Sequence, residues 1–172
     1  MEEEATSAPV AAGTLREPAH RVSPRAIRMW TVHALIGMVL LLAGQIAWWI
    51  LADDPRIWHW VVGALWLVLG GGYAIIMPRW RYHVHRWEAT SEAIYTQRGW
   101  LSQERRIAPI SRVQTVDLKR GPITQLFRLA SVTVTTASAA GPLEIEGLDV
   151  QEARRLVDAL TAAAAAETGD AT

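Results

Sequence analysis

The chain has 172 residues, with 17 basic side chains balanced by 17 acidic ones, so bulk charge offers no case for a nucleic-acid partner. The absence of cysteine excludes disulfides, thiolate catalysis and cysteine-ligated metal centres. Hydrophobic residues make up 51% and nine are tryptophan, while Lys119 is the only lysine, a composition unlike that of an average soluble domain.

Residues 1–29 read as a disordered tail with a basic flank. Met1 to Gly13 is acidic and then Ala/Ser/Pro-rich, and Arg16, Arg21, Arg25 and Arg28 follow against one acid, Glu17. Residues 30–77 read as a transmembrane hairpin. Trp30 to Leu51 and Ile57 to Met77 carry no formal charge, and each is as long as the roughly 20 helical residues that cross a hydrocarbon core. Only Ala52 to Arg56 separate them, so the helices must be antiparallel, with every backbone amide bonded internally. The first stretch starts too late, is too long and lacks the small-residue site expected of a cleaved signal peptide.

Arginines flank both outer ends of the hairpin, and two aspartates mark its turn. The positive-inside bias therefore predicts two cytoplasmic termini in a bacterial inner membrane. Trp30 and Trp80 are expected at the inner interface, and Trp48, Trp49, Trp58 and Trp60 at the outer one. Gly37 and Gly44 face Gly70 and Gly63 when the helices are laid antiparallel, which predicts close backbone approach.

Residues 78–166 read as a β-rich cytoplasmic domain, with a further disordered tail over 167–172. Pro78 is expected to end the second helix. Strands are expected over Tyr82–Ala89, Ala93–Arg98, Gln103–Ala108, Val113–Leu118, Ser131–Thr136 and Leu143–Ile145, each bounded by turn residues. An amphipathic helix closes the chain, capped by Asp149 with Glu152 completing a capping box. It presents Val150, Ala153, Leu156, Val157 and Leu160 on one face. Antiparallel strands followed by one helix is the order of a pleckstrin-homology-like (PH-like) barrel, whose helix plugs an open end.

The run Arg106-Ile107-Ala108-Pro109-Ile110-Ser111-Arg112-Val113-Gln114-Thr115-Val116 resembles the core motif of the bacterial PH-domain membrane proteins, the YdbS-like group. Gly121-Pro122-Ile123, Leu126-Phe127 and Leu129-Ala130, with the valine/threonine strand after them, extend the resemblance. Pro109, Val113, Gln114, Gly121 and Leu129 are its motif positions. Gln125 stands where that family tends to have arginine, and Arg128 where it often has glycine. The resemblance implies two membrane helices before a PH-like domain and a tethered interaction or scaffolding role, with no catalytic residues to carry over. The implied partner is a membrane protein, such as a multi-PH-domain relative.

Among chemistry-bearing residues, His83 and His85 share one face of the expected strand, with no third metal ligand nearby, and read as polar residues facing solvent or the lipid surface. His33 and His59 lie in the membrane, more than about 20 Å apart along the hairpin axis, too far for a shared site. Gln45 is expected to bond across helices, within the hairpin or between copies of the chain in a homo-oligomer. The Thr90-Ser91-Glu92 turn is not basic, which disfavours headgroup recognition of the phosphoinositide type. Arg25, Arg28, Arg79, Arg81 and Arg86 are candidate contacts with the lipid bilayer. Arg105, Arg106, Arg112, Lys119 and Arg120 are candidates for docking an acidic partner or for discouraging strand aggregation, and Gln114 for satisfying barrel backbone. With no nucleophile–base pair, phosphate loop or metal set, no enzyme and no cofactor are expected. A subunit of a small oligomeric transporter or channel is the alternative reading.

Overall fold

The computed structural model describes residues 17–51, 57–138 and 141–169. Of the expected tails over 1–29 and 167–172, residues 1–16 and 170–172 lie outside the described residues, as does the turn Ala52–Arg56.

The fold begins before the membrane helices. A two-residue strand, β1 (His20–Arg21), runs into Ser23 and Pro24, a hydroxyl residue and a pre-set φ that start helix α1 (Arg25–Leu51). The Ser23 carbonyl accepts the Ala26 amide at 2.9 Å, closing that first turn. Helix α2 (Ile57–Val84) returns, and strand β2 (Arg86–Ala89) follows after His85 alone. β1 pairs antiparallel with β2, His20 opposite Trp87 and Arg21 opposite Arg86. Both ends of the hairpin therefore lie on the same side of the membrane. The residues expected as a loose basic flank are built into the sheet, and the hairpin is an insertion between two strands of one domain.

β3 (Ala93–Gly99) and β4 (Gln103–Pro109) complete a four-stranded sheet in the order β1-β2-β3-β4. The turn between them depends on Gly99, at φ +123°, where a Cβ would collide with the Ser102 carbonyl. A 3-10 turn (Ile110–Arg112) leads to β5 (Val113–Lys119), which forms the second sheet with β6 (Leu129–Thr136) and β7 (Leu143–Asp149) in the order β5-β6-β7. Between β5 and β6 a short helix, α3 (Pro122–Leu126), occupies what the sequence suggested only as a break. Helix α4 (Val150–Gly169) continues past the expected boundary at residue 166. Asp149 Oδ1 accepts the Gln151 amide at 3.0 Å, which supplies the expected cap.

Ile94, Ile110, Leu129, Val132, Val134, Leu148 and Leu160 form the centre of the core, each at most 2% exposed. Ala153, Leu156 and Leu160 of α4 close it, as the amphipathic pattern predicts. Val22, Ala26, Met29 and Trp30 belong to the same cluster. The first turns of α1 are thus core elements of the β domain, and Trp30, expected at the lipid interface, is 3% exposed inside it. Gly147, at φ +77°, makes this seating possible, because a Cβ there would lie 2.8 Å from the Ala26 Cβ.

Pro78 does not end α2. It is fully buried, and six more helical residues follow to Val84. Proline in a water-exposed helix costs about 3 kcal/mol. Here the Arg79 side chain donates to the Ile75 carbonyl at 2.6 Å beside the break, and the domain packs around the last turn. His83 is consequently helical rather than on a strand.

Outside the domain both helices are apolar and exposed, and each is long enough to cross a membrane. Residues 35–51 and 57–73 rise about 25 Å, slightly less than a hydrocarbon core of ~30 Å. The shortfall lies level with the β3–β4 turn, where Trp100 packs edge-on to Tyr73 at 5.6 Å and Leu101 is 83% exposed. At the far end Trp49 meets Trp60 at 5.8 Å and Trp48 meets His59 at 4.3 Å, within the expected outer aromatic cluster. Gln45 Nε2 reaches the His59 carbonyl at 3.4 Å, a bond across the helices as expected. The glycines do not zip the helices together. A Cβ at Gly37, Gly44 or Gly63 meets nothing within 4 Å, and the space over Gly70 is taken by Met38. The helices meet instead through Ala34 and Met38 of α1 against Ala74 and Met77 of α2, and through the rings at the far end.

Two predictions follow from this arrangement. A fragment starting at Arg86 lacks β1, Val22, Ala26, Met29 and Trp30, and should fail to give a cooperative unfolding transition. Retaining residues 17–34 and joining them by a short linker to residues 77–169 should restore one, as read by thermal circular dichroism. Separately, Arg128 takes the left-handed conformation at φ 56° in the turn before β6, the one non-glycine residue among those described to do so. Arg128→Gly should raise stability by about 1 kcal/mol through relief of that strain, visible as a higher Tm in detergent.

Candidate functional site at the membrane junction

Where the hairpin meets the β domain, one residue from each neighbouring element converges on Arg81. The last turn of α2 places its guanidinium 4.6 Å from the ring centroid of Trp30 on α1. Arg81 Nη2 contacts Glu146 Oε2 on β7 at 2.6 Å, with the two side chains 29% and 33% exposed. Arg81 Nε donates to His85 Nε2 at 3.3 Å, and His85 Nδ1 lies 2.8 Å from the Arg81 carbonyl. A carbonyl only accepts, so the proton sits on Nδ1 and Nε2 is left to receive Arg81. The His85 ring packs on Trp30 at 5.1 Å.

Burial, and then the adjacent Arg81 charge, push the His85 pKa down to about 4. Histidine 85 is a neutral structural element, 5% exposed, and not the surface residue expected from sequence. Among the described residues no three histidine or carboxylate side chains gather in a possible metal site.

Arg81 separates two cavities. A cleft of about 900 Å³ runs from the gap between the helices, at Gly37 and Gly70, down to Ser131, Glu144 and Glu146 on the second sheet. A smaller one of about 390 Å³ lies on the other side, under Trp100, Arg98 and Glu104. Glu104 is bonded by Arg98 Nε at 2.8 Å and by Arg106, and these two donors hold its carboxyl below the usual range.

The expected lipid-contact arginines divide into two groups. Arg28 and Arg79 are exposed near the domain-side ends of the membrane helices. Arg25 pairs with Asp149 at 2.9 Å, Arg86 with Glu17 at 3.5 Å and Arg81 with Glu146, so these three hold parts of the fold together. The five expected docking residues do not form one patch. Arg105 lies on the outer face of β4, 3.8 Å from Glu17, and Arg106 turns the other way, to Glu104 and the Pro142 carbonyl at 2.9 Å. Arg112 and Lys119 are exposed at opposite ends of β5, about 20 Å apart at the rise of a strand. Arg120 Nε reaches the Leu129 carbonyl at 3.4 Å.

The motif positions have structural roles. Pro109 ends β4, Gly121 precedes α3, and Leu129 is fully buried. Val113 and Gln114 lie where the β5–β6 register shifts, and Gln114 is exposed at that irregularity rather than bonded inside the barrel. Thr90 Oγ1 accepts the amides of Glu92 and Ala93 at 3.3 and 3.1 Å, closing the non-basic turn upon itself. Glu144, Glu146 and the burial of Trp30 escaped sequence reading. Leu143-Glu144-Ile145-Glu146 shows the alternation of a strand, but alternation alone does not tell that its polar face looks toward the membrane helices.

Two membrane helices carried by a domain of two antiparallel sheets and a closing helix define a membrane-tethered PH-like protein. The bacterial PH domain family model matches residues 25–164, from the start of α1 into α4, and the chain belongs to that family. It is similar to the transmembrane protein YdbS of Bacillus subtilis (strain 168), with 31% identity over 151 residues covering 84% of this chain and 92% of that protein. No solved structure matches it.

The buried histidine gives a signed pH dependence. Above pH 6.5 His85 is neutral in folded and unfolded chains alike. As pH falls from 6.5 toward 4, only the unfolded chain gains the proton, so stability declines, by up to ~3 kcal/mol from this group. Denaturant unfolding across that range should show the decline, and His85→Gln should flatten it.

Proposed function

We propose that this protein is a non-catalytic, membrane-anchored interaction module that binds a membrane or envelope protein on the cytoplasmic face of the bacterial inner membrane. The single observation that carries this reading is β5, which stands at the edge of the second sheet with Arg112 and Lys119 exposed at its two ends. An edge strand offers free backbone donors and acceptors to a partner strand, and flanking cations favour one with acidic residues. Family membership and the hairpin supply the tether. Arg28 and Arg79 are the residues we assign to anionic lipid at the inner surface. A multi-PH-domain relative is the partner class that the family suggests. The transporter alternative draws little support, since Gln45, the one amide in the spans, already bonds to the His59 carbonyl.

Photo-crosslinkers placed at Arg112 and at Lys119 in cells should capture a second membrane protein, and the paired reversal R112E/K119E should cut that capture several-fold. Recovery of uncrosslinked chain alone, after efficient activation, contradicts the reading. For orientation, the cysteine-free background makes a clean test: Asp53→Cys should react with a membrane-impermeant thiol reagent in intact spheroplasts, and Ser138→Cys only after lysis.

A further inference from the structure

The 900 Å³ cleft at the junction has an unusual distribution of chemistry along its length. Its upper part lies between the membrane helices, over Ala34, Gly37, Met38, Leu41, Trp66 and Gly70, and is apolar. Beyond the junction, from Leu35 to Leu41, this part rises about 9 Å, roughly a third of a ~30 Å hydrocarbon core. Its lower end, at the domain edge, carries His33, Arg81, Glu144 and Glu146 with the hydroxyl residues Thr124 and Ser131, the His33 Nδ1 being 2.9 Å from the Met29 carbonyl.

The charges at this lower rim are not balanced internally. Arg81 and Glu146 neutralise each other at 2.6 Å. Glu144, half-buried on β7, carries no ion pair among the described residues. On β5, just outside the cleft, Lys119 is the ladder partner of Ser131, and Asp117 is the partner of Thr133, which pairs in turn with Glu144, so both lie on the same face of the sheet. The rim thus offers the Glu144 carboxylate, with the Asp117 carboxylate and the Lys119 ammonium flanking it on β5, beneath a short apolar slot.

We propose that the cleft binds a single phospholipid with a zwitterionic, primary-amine headgroup of the phosphatidylethanolamine type. One acyl chain lies in the slot over Gly37, beside the Met38 side chain that covers Gly70, the lipid ammonium pairs with Glu144, and its phosphate lies toward Lys119 and the Ser131 hydroxyl. Charge complementarity selects this occupant. An anionic glycerol headgroup brings no cation for Glu144, and a second copy of this chain would have to bring an apolar helix with an amine at the matching depth. The site is open to the bilayer, so lipid is already the surrounding solvent, and only headgroup choice adds selectivity. This inference does not depend on the protein partner proposed above.

The test is native mass spectrometry of the full-length protein in detergent, with phosphatidylethanolamine and phosphatidylglycerol of identical chains added in equal amounts. The wild type should hold one lipid, with the ethanolamine form favoured about fivefold, as one partly screened ion pair allows. Glu144→Gln should bring the ratio to about one. Gly37→Leu should lose both adducts by filling the slot, and no atom lies within 4 Å of a Cβ there to oppose it. A wild-type ratio of one or less, a preference that survives Glu144→Gln, lipid retained in Gly37→Leu, or a lipid-free dimer would overturn the proposal.

Discussion

The Arg81 guanidinium, held between the Trp30 ring and the Glu146 carboxylate, ties the two halves of this protein together. A cation over an indole face and against a carboxylate gains from both only if α1, α2 and β7 are all in place. The contact is also half-screened by protein, where Coulomb attraction is stronger than in open water. Removing any one partner leaves the others with an unmatched face or charge. The junction also fixes the neutral tautomer of His85, and with it the last turn of α2.

From this contact the architecture follows in order. Because α1 must bring Trp30 under Arg81, its first turns sit inside the β domain against Gly147, and β1 is close enough to pair with β2. The hairpin is therefore an insertion in the domain, not an anchor appended to it. Insertion also sets depth: with Ala26 to Ala34 committed to the core and junction, about 25 Å of each helix remains for the bilayer, and the β3–β4 turn is drawn up to the interface. Ala34 and Met38 pack on Ala74 and Met77 just above the junction, and the cleft opens beside this contact, over Gly37.

Much of this was legible in the residues. Two uncharged stretches with tryptophan at their ends read directly as membrane helices, and β3, β4 and β6 showed their alternation between clear turn residues. The apolar face of α4 matched the core it closes. Other features left no pattern to read. A two-residue strand such as His20–Arg21 has no periodicity, and its pairing with β2 depends on contacts 65 and 67 residues apart in sequence. Trp30 fits an interfacial belt as well as a core, since both environments favour an aromatic ring. Pro78 reads as a stop because in water it is one; fully buried at the junction, with the helix end held by a folded domain, it is tolerated. For the site, arginines chosen by sequence proximity proved to be three structural pairs and two exposed residues, because partners such as Glu146 and Asp149 come from the far end of the chain.

The central claim is that the hairpin base and the β domain form one cooperative unit through the Trp30–Arg81–Glu146 contact. Native-state hydrogen exchange at increasing denaturant tests it most directly, by comparing amides of residues 26–34 with those of β6. The account predicts that both sets open with the same free energy and the same denaturant dependence, and that Glu146→Gln lowers both together. Exchange of residues 26–34 by a separate, lower-energy opening while β6 stays protected would contradict it.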